Sequence, residues 1–282
     1  MGMLDGKVAV ITGGSRGLGM AIAKAYAREG AAVVLGSRTQ AAVDEAVAEL
    51  AASGARAAGL ACDVGDLAQV EALAACAVKE FGGFDVWVNN AALSAPYGPT
   101  GLIPPDRYEA VIRTNITGTY HGSRVALRHF QERGRGKLIN LLGKGADGPT
   151  PLQNAYAPSK AWVASFTRGL VKEYAGTGIG IHLLQPGLML TDMVTRPEAL
   201  DGYVEKVGAL GMILRLLGNP PEVPAEKALW LASGATDGKM GVEVRVLSRG
   251  GAMGRFLKAG LRRLTGGRID PVPLDVKVVK PQ

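Results

Sequence analysis

The hydrophobic and polar positions of the chain follow two alternating patterns. Short, continuously apolar runs are separated by longer stretches in which apolar residues recur at helical spacing. Apolar runs of this kind are typical of strands buried on both faces, so the alternation predicts an α/β fold with a doubly wound parallel sheet. The seven predicted strands are 8–12, 32–36, 57–62, 86–89, 138–142, 179–185 and 242–247. The predicted helices are 20–29, 39–53, 67–81, 106–133, 156–175 and 225–232.

Two regions depart from this alternation, and neither is separated from the rest by a low-complexity linker. We therefore predict a single domain over residues 1–248 and a tail over residues 249–282. Within the domain, the apolar segment 192–222 predicts short helices packed on the body, a mobile lid over a large apolar substrate, or both. The end of the tail, 270–282, contains three prolines and is expected to extend over the surface.

The first part of the tail has the pattern of a short basic amphipathic helix. Its apolar side would carry Met253, Phe256, Leu257, Gly260, Leu261 and Leu264, and its basic side Arg255, Lys258 and Arg262. Such a helix predicts either peripheral contact with an anionic membrane or docking on a partner subunit.

Composition and charge narrow the class of protein. Apolar residues make up 47% and charged residues 20% of the chain, which is ordinary for a globular protein and excludes intrinsic disorder. No apolar run approaches the roughly 20 residues that a membrane span needs. The formal net charge is +7, but the tail holds eight basic and two acidic residues, so the domain is nearly neutral. We therefore expect no nucleic-acid partner.

Cysteine and histidine positions bear on redox compartment and metal binding. Cys62 and Cys76 fall in apolar stretches and are expected to be free thiols in a reducing cytoplasm, and the start of the chain has no signal-peptide pattern. The histidines, at 121, 129 and 182, do not cluster with one another or with the cysteines. We therefore predict a cytoplasmic protein without a metal site.

A glycine-rich turn directly after the first strand opens the first predicted helix. Residues 12–19 read Thr-Gly-Gly-Ser-Arg-Gly-Leu-Gly, and Gly13, Gly17 and Gly19 allow backbone N–H groups to approach a pyrophosphate at the helix start. Such a turn can also serve only to pack a helix on a strand. The second strand ends at Ser37-Arg38, where a carboxylate would bind the ribose of NAD. Arg38 and Arg16 instead favour the 2′-phosphate of NADP(H), the alternative being a solvated charge at Arg38.

Further motifs follow in order along the chain. They are Asp63-Val64, Asn89-Asn90-Ala91-Ala92, Asn115, Tyr156-Ala-Pro-Ser-Lys160 and Pro186-Gly187-x₃-Thr191. With the glycine turn, they resemble the short-chain dehydrogenase/reductase family over about residues 5–248. The resemblance implies a Rossmann-type fold, a homodimer or homotetramer, and Tyr156, Lys160 and Asn115 as catalytic residues. The implied cofactor contacts are Gly13, Ser15, Arg16, Gly17, Leu18, Gly19, Ser37, Arg38, Asp63, Val64, Asn89, Ala91, Tyr156, Lys160, Pro186, Gly187, Met189 and Thr191.

The Tyr156 and Lys160 pair has a chemical rationale of its own. Residues four apart on a helix share one face, and a free phenol has a pKa near 10, too high for a base at neutral pH. An ammonium about 4 Å away would favour the phenolate by about 1–4 kcal/mol, or roughly one to three pKa units. We therefore expect Lys160 to lower the pKa of Tyr156, and Asn115 to hold a water that relays protons. The alternative is that Tyr156 caps the helix and Lys160 points to solvent.

One position departs from the family pattern. Gly143 stands thirteen residues before Tyr156, where the family usually has a serine that holds the substrate carbonyl oxygen. Losing such a donor costs about 10²–10³ in rate at other sites. Three interpretations remain open. Another donor replaces the serine (a backbone N–H near Gly143, or Lys144, Ser94 or Tyr97), the substrate is as reactive as an aldehyde, or the protein binds NADP without catalysis.

A closer resemblance covers residues 140–194. This segment is similar to the chlorophyll b reductase-like members of the family, which also lack the serine. It has Gly143-Lys144-Gly145 in place of the serine, followed by the motifs around Tyr156 and Pro186, and the likeness extends weakly into 257–263. It implies reduction of a formyl group on a membrane-held tetrapyrrole with NADPH. We predict an NADP(H)-dependent oxidoreductase that reduces a carbonyl of a bulky apolar molecule or oxidises the alcohol. The alternatives are an NADP-binding scaffold or sensor without turnover, and a lipid-surface protein acting through its tail.

Overall fold

A parallel sheet forms the centre of the molecule. The computed structural model describes residues 2–247, 250–251, 253–255 and 269–282. The strands of its main sheet are β1 (Val8–Thr12), β2 (Ala32–Ser37), β3 (Ala57–Ala61), β4 (Val86–Asn89), β5 (Gly136–Leu141), β6 (Ile179–Gln185) and β8 (Glu243–Arg245). They lie in the order β3-β2-β1-β4-β5-β6-β8 with all pairs parallel. The predicted α/β fold, a doubly wound Rossmann-type sheet of about seven strands, is confirmed.

Helices cover both faces of this sheet. They are α1 (Gly17–Arg28), α2 (Gln40–Ala52), α3 (Leu67–Phe81), α4 (Pro105–Val111), α5 (Gly118–Arg133), α6 (Tyr156–Glu173), α7 (Asp192–Thr195), α8 (Val204–Leu217) and α9 (Glu222–Ala232). The prediction of one unbroken helix over 106–133 is wrong, because a π-helical turn at Ile112–Thr117 separates α4 from α5. Such turns widen a helix locally, which apolar periodicity does not show.

The alternation of side chains along β2 shows how the two faces are filled. Val33 and Leu35 join a core beneath α1 and α9, whereas Ala32 and Val34 join the core beneath α3 and α5. All four side chains are fully buried. A strand covered on both faces has no polar side, which explains the continuously apolar runs.

The lid, defined as residues 192–222, contains α7, a short strand β7 (Glu198–Leu200) and α8. Helix α8 buries Val207 and Leu214 and contacts β7. The segment contains short helices, as predicted, whereas their packing on the body and the mobility of the lid stay predictions.

A strap formed by residues 271–279 crosses the lid and pairs with it. Its strand β9 (Lys277–Val279) lies parallel to β7, and the Val272 N–H donates to the Gly211 carbonyl of α8 at 3.0 Å. Glu198 of β7 forms ion pairs with Arg107 of α4 and, at 3.3 Å, with Lys277 of the strap. The end of the tail is extended, as predicted, and it also pairs with the lid.

The predicted amphipathic helix of the tail lies largely outside the described residues. Of its positions, Met253 and Arg255 are described, and the Arg255 guanidinium donates to the Asn219 side-chain oxygen at 2.9 Å. Met253 is 61% exposed. Within the part of the chain that the structure describes, no helix combines the length and the apolar character needed to cross a bilayer.

Candidate active site

A cleft of about 480 Å³ opens where the strands β1 and β4 end. The chain leaves these two neighbouring strands toward opposite faces of the sheet, and open α/β sheets bind ligands at such a point. The cleft is lined by the predicted cofactor contacts Gly13, Ser15, Arg16, Gly17, Leu18, Gly19, Ser37, Arg38, Asp63, Val64, Ala91, Tyr156, Lys160, Pro186, Gly187, Met189 and Thr191. Asn89 and Asn115 do not line it.

The glycine turn presents a helix start to the cleft. Gly13 and Gly17 have φ of 64° and 55°, a conformation that favours glycine, and a Cβ at Gly13 would lie 2.9 Å from the Ala91 Cα. Helix α1 begins at Gly17, and the preceding Arg16 provides no side-chain cap. The first N–H groups of α1 are therefore left to bind an anion in the cleft, as a pyrophosphate requires.

Asn90 braces this turn, a role that the sequence analysis missed. Its side-chain N–H groups donate to the carbonyls of Thr12 and Gly13 at 2.9 and 3.1 Å. The Thr12 hydroxyl in turn accepts the backbone N–H groups of Asn90 and Ala91, both at 3.1 Å. The signal was present in the strand order, because an asparagine at the end of β4 must lie beside the turn that follows β1.

The end of the cleft beside β2 carries hydroxyl groups and cations. The Ser15 hydroxyl donates to the Ser37 hydroxyl at 2.9 Å, and Arg38 is exposed without an ion pair to any described residue. Arg16 lies 3.6 Å from Asp192, the first residue of the lid. Asp63 accepts the Gly65 N–H at 2.9 Å and pairs with Arg113 at 3.0 Å. The predicted phosphate contacts are thus together at one rim.

Tyr156 and Lys160 lie side by side at the opposite end, on the first turns of α6. The Lys160 ammonium donates to the Leu141 carbonyl at 3.1 Å and lies 5.7 Å from the centre of the Tyr156 ring. Lys160 is buried, so its charge acts in a low-dielectric setting. The pair lines the cleft, Tyr156 makes no capping hydrogen bond to α6, and Lys160 does not point to solvent.

The expectation that Lys160 lowers the pKa of Tyr156 is wrong in this structure. Burial and, to a smaller extent, the neighbouring Tyr97 phenol together raise the pKa of Tyr156 to about 12. Burial also lowers the pKa of Lys160 to about 8. Desolvation of both groups outweighs the attraction between them, since each loses hydration that favours its charged form. At neutral pH the phenol therefore keeps its proton.

The two asparagines outside the cleft hold the scaffold together. The Asn115 side chain, in the π-helical turn, accepts the Leu93 N–H at 2.8 Å and donates to the Leu93 carbonyl and to the Ser159 hydroxyl. Asn89 joins a buried network with Ser123 and Asn140. Asn115 thereby fixes the loop after β4 to α6, and the water-holding role of Asn115 stays a prediction.

Gly143 lies directly against Tyr156 and Lys160. A Cβ added there would come closer than 3.0 Å to the Tyr156 hydroxyl and to 3.2 Å from both the Tyr156 Cζ and the Lys160 Cγ. Real Cβ atoms essentially never come within 3.0 Å of another group, and contacts of 3.2 Å are tighter than nine in ten that are observed. The absence of a side chain at position 143 is therefore a packing requirement of Tyr156 as it is placed.

The wall of the cleft beside Tyr156 is largely apolar. The side chains that line it include Leu93, Leu142, Leu188, Leu190, Met193, Val194, Leu210 and Ile213, the last four from the lid. Ser94, Tyr97, Thr150 and Gln153 add polar groups to the same region. The sequence predicted that the lid is rich in apolar residues. Which of these residues reach the cleft depends on the turn between α7 and α8, and apolar periodicity does not show it.

Comparisons with known proteins agree with this geometry. Residues 7–200 match a family model described as short chain dehydrogenase. The chain is 36% identical over 236 residues to 3beta-hydroxysteroid dehydrogenase 1 of Eggerthella lenta, covering 82% of this chain and 88% of that protein.

Two solved structures are similar over most of their length. A gluconate 5-dehydrogenase from Burkholderia cenocepacia in complex with NADP and tartrate superposes with a TM-score of 0.77 at 27% identity, covering 89% of this chain and 96% of that one. A 3-ketoacyl-(acyl-carrier-protein) reductase from Brucella melitensis complexed with NADH gives 0.76 at 29% identity, covering 86% and 97%.

Proposed function

Because the chain belongs to the short-chain dehydrogenase/reductase family, we propose that it is an NADP(H)-dependent reductase for the aldehyde or ketone group of a bulky apolar molecule. The observation that carries the proposal is one continuous cleft. It joins an uncapped glycine turn at one end to the Tyr156 and Lys160 pair and an apolar wall at the other. Such a cleft suits a dinucleotide and an apolar substrate meeting at the phenol.

The residues present fit a dinucleotide cofactor. The open N–H groups of α1 would hold its pyrophosphate, Asp63 and Val64 its adenine, and the segment 186–191 its nicotinamide side. Arg38 has no ionic partner among the described residues, and no carboxylate ends β2, which supports NADP(H) over NAD(H). When bound, the nicotinamide supplies or accepts the hydride of the reaction.

The protonation state of Tyr156 favours reduction as the working direction. With a pKa raised to about 12, the phenol is a proton donor at neutral pH, and a carbonyl that receives hydride needs one proton on its oxygen. Alcohol oxidation would need a phenolate instead. Lys160, which donates to the Leu141 carbonyl, holds its charge beside the ring and steadies the phenolate left after proton transfer.

The substrate class follows from the apolar wall. Leu210 and Ile213 of α8, with Met193 and Leu190, line the same cleft as Tyr156. Met193 and Leu190 are each more than 40% exposed, so a bulky apolar molecule would bury surface that water now covers. A formyl group on a large ring system, as the chlorophyll b reductase likeness implies, belongs to this class.

We also propose a homo-oligomer in the cytoplasm. Helices α5 and α6 bring three aromatic rings together: Trp162 and Phe166 stack at 4.6 Å between ring centres, and Tyr120 meets Phe166 edge-on at 6.4 Å. Of the small residues on α6, Ala157 and Ala164 are buried inside the subunit, so close helix packing between subunits would use Ala161 and Ser165. Both cysteines are free, which fits a reducing compartment.

Titration and turnover together test the function. NADPH binding is followed by fluorescence, and NADPH oxidation is measured with aldehydes and ketones of increasing apolar size. We expect activity that rises with apolar size and that Tyr156→Phe abolishes, with little change in NADPH affinity. Tight NADPH binding without oxidation across the whole panel would identify the scaffold alternative.

A further inference from the structure

The site needs a hydrogen-bond donor for the substrate oxygen besides Tyr156, and Gly143 has no side chain to give one. This need rests on the proposed function, because negative charge develops on the substrate oxygen when the carbonyl carbon receives hydride. A preorganised donor at such an oxygen is worth about 10²–10³ in rate. A Cβ at position 143 would also come closer than 3.0 Å to the Tyr156 hydroxyl, so a serine there would displace the phenol from its present position.

Most polar groups near Tyr156 have their hydrogens engaged elsewhere. The single hydroxyl hydrogen of Ser94 is shared between the Gln153 side-chain oxygen at 3.1 Å and the Ala95 carbonyl at 3.2 Å. Both N–H groups of the Gln153 amide are directed at the carbonyls of Ala95 and Leu152. Lys144 is exposed at the rim. A substrate oxygen would have to break an existing hydrogen bond to use Ser94 or Gln153.

Tyr97 differs from these groups. It lines the cleft, and its hydroxyl has no hydrogen bond to any residue that the structure describes. It is close enough to Tyr156 for its ionised ring to raise the pKa of Tyr156, and burial raises the pKa of Tyr97 itself. Two protonated phenols thus face one cleft.

The lid holds Tyr97 in place through its backbone. The Tyr97 N–H donates to the Glu198 carbonyl at 2.8 Å, and the Tyr97 carbonyl accepts the Leu200 N–H at 2.9 Å. Both partners belong to β7, which the strap pairs on its other side. A hydrogen-bond donor stabilises a developing oxyanion best when it is already held in position before the reaction begins. Two backbone hydrogen bonds to β7 hold Tyr97 in this way.

We propose that the Tyr97 hydroxyl donates the hydrogen bond to the substrate carbonyl oxygen that serine donates elsewhere in the family. The carbonyl carbon receives hydride with its electron pair, the π electrons move onto the oxygen, and Tyr156 delivers the proton to that oxygen. Tyr97 keeps its own proton throughout and ends the cycle unchanged. The lid thereby contributes both the apolar wall and the position of the second phenol.

Single-turnover kinetics of Tyr97→Phe test this assignment. Each variant is loaded with NADPH and mixed with saturating benzaldehydes that carry para substituents of graded electron-withdrawing strength. We expect Tyr97→Phe to slow NADPH oxidation by about 10²–10³ with an NADPH Kd changed by less than about twofold. The rate should also depend more steeply on the substituent, because a carbonyl without its donor relies more on its own activation.

The matched control is Tyr203→Phe, which removes a lid hydroxyl outside the cleft lining and should leave both rate and substituent dependence unchanged. A purely structural effect of Tyr97→Phe would lower rates without steepening the substituent dependence, and it would overturn the assignment. So would a Tyr97→Phe rate within about threefold of wild type. A wild-type protein that oxidises no NADPH with any aldehyde would instead overturn the proposed function, and the donor role with it.

Discussion

Replacing Gly143 with serine restores the family's usual residue and should nevertheless impair the site. The added Cβ would approach the Tyr156 hydroxyl to less than 3.0 Å, whereas ordinary contacts begin at 3.4 Å. The phenol must therefore recede by about 1 Å, and a displacement of that size at a reacting group costs about 10²-fold in rate. The Lys160 Cγ, at 3.2 Å from the new Cβ, limits escape in that direction.

The expected result is a fall of about 100-fold in kcat for Gly143→Ser, and a similar fall for Gly143→Ala, with NADPH affinity nearly unchanged. Steady-state turnover on a common aldehyde and ketone panel measures it. Gly148→Ser is the matched control, since Gly148 lies in the same loop with nothing within 4 Å of an added Cβ. A serine variant with wild-type or higher turnover would refute the steric reasoning and would indicate a degenerate site that the serine repairs.

Three further predictions concern cofactor choice, acid stability and the lid. Arg38→Asp should weaken NADPH binding at least tenfold while NADH binding changes little, because the variant loses a charge-assisted phosphate contact of about 1.5–3 kcal/mol. A fluorescence titration measures both affinities, and equal effects on the two cofactors would refute the prediction. Burial lowers the pKa of His182 to about 4, so the unfolded chain takes up a proton first as the pH falls below 6.5. Denaturant unfolding should show a loss of about 2–3 kcal/mol between pH 7 and pH 4.5 that His182→Leu lacks, and equal losses in both proteins would contradict it. Glu198→Gln weakens the contacts of β7 with Arg107 and the strap by about 1 kcal/mol, so KM for an apolar aldehyde should rise about fivefold. The control is Glu205→Gln, which changes an exposed glutamate of the lid. An unchanged KM in Glu198→Gln would contradict the prediction.

The sequence predicted the sheet and the cofactor rim because both depend on local signals. A run such as 32–36, apolar at every position, can only be a strand covered on both faces, and a glycine turn between strand and helix limits what can follow. Strand order then brings 12–19, 63–64 and 186–191 to one edge. These features need no knowledge of how individual side chains pack.

The rest could not be predicted because it depends on contacts between distant segments. The pKa of Tyr156 was expected to fall from the charge of Lys160 alone, since burial cannot be judged from spacing on a helix. Asn89 looks as suited to a cofactor as Asn90, yet it is the side chain of Asn90 that reaches the glycine turn. The pairing of β7 with β9 involves segments of three residues each, too short for any pattern.

The pairing between the lid and the strap also fixes which parts of the molecule can fold first during synthesis of the chain. Glu198 and Lys277 are 79 residues apart, whereas the last strand of the main sheet ends at Arg245. The ribosome therefore delivers the whole sheet, the glycine turn and the Tyr156 and Lys160 pair before the partner of the lid exists. Pairing of β7 with β9 closes a loop of that length, which costs entropy and slows this step of folding. A nascent chain paused after β8 would therefore present the lid to chaperones and proteases without its partner strand β9.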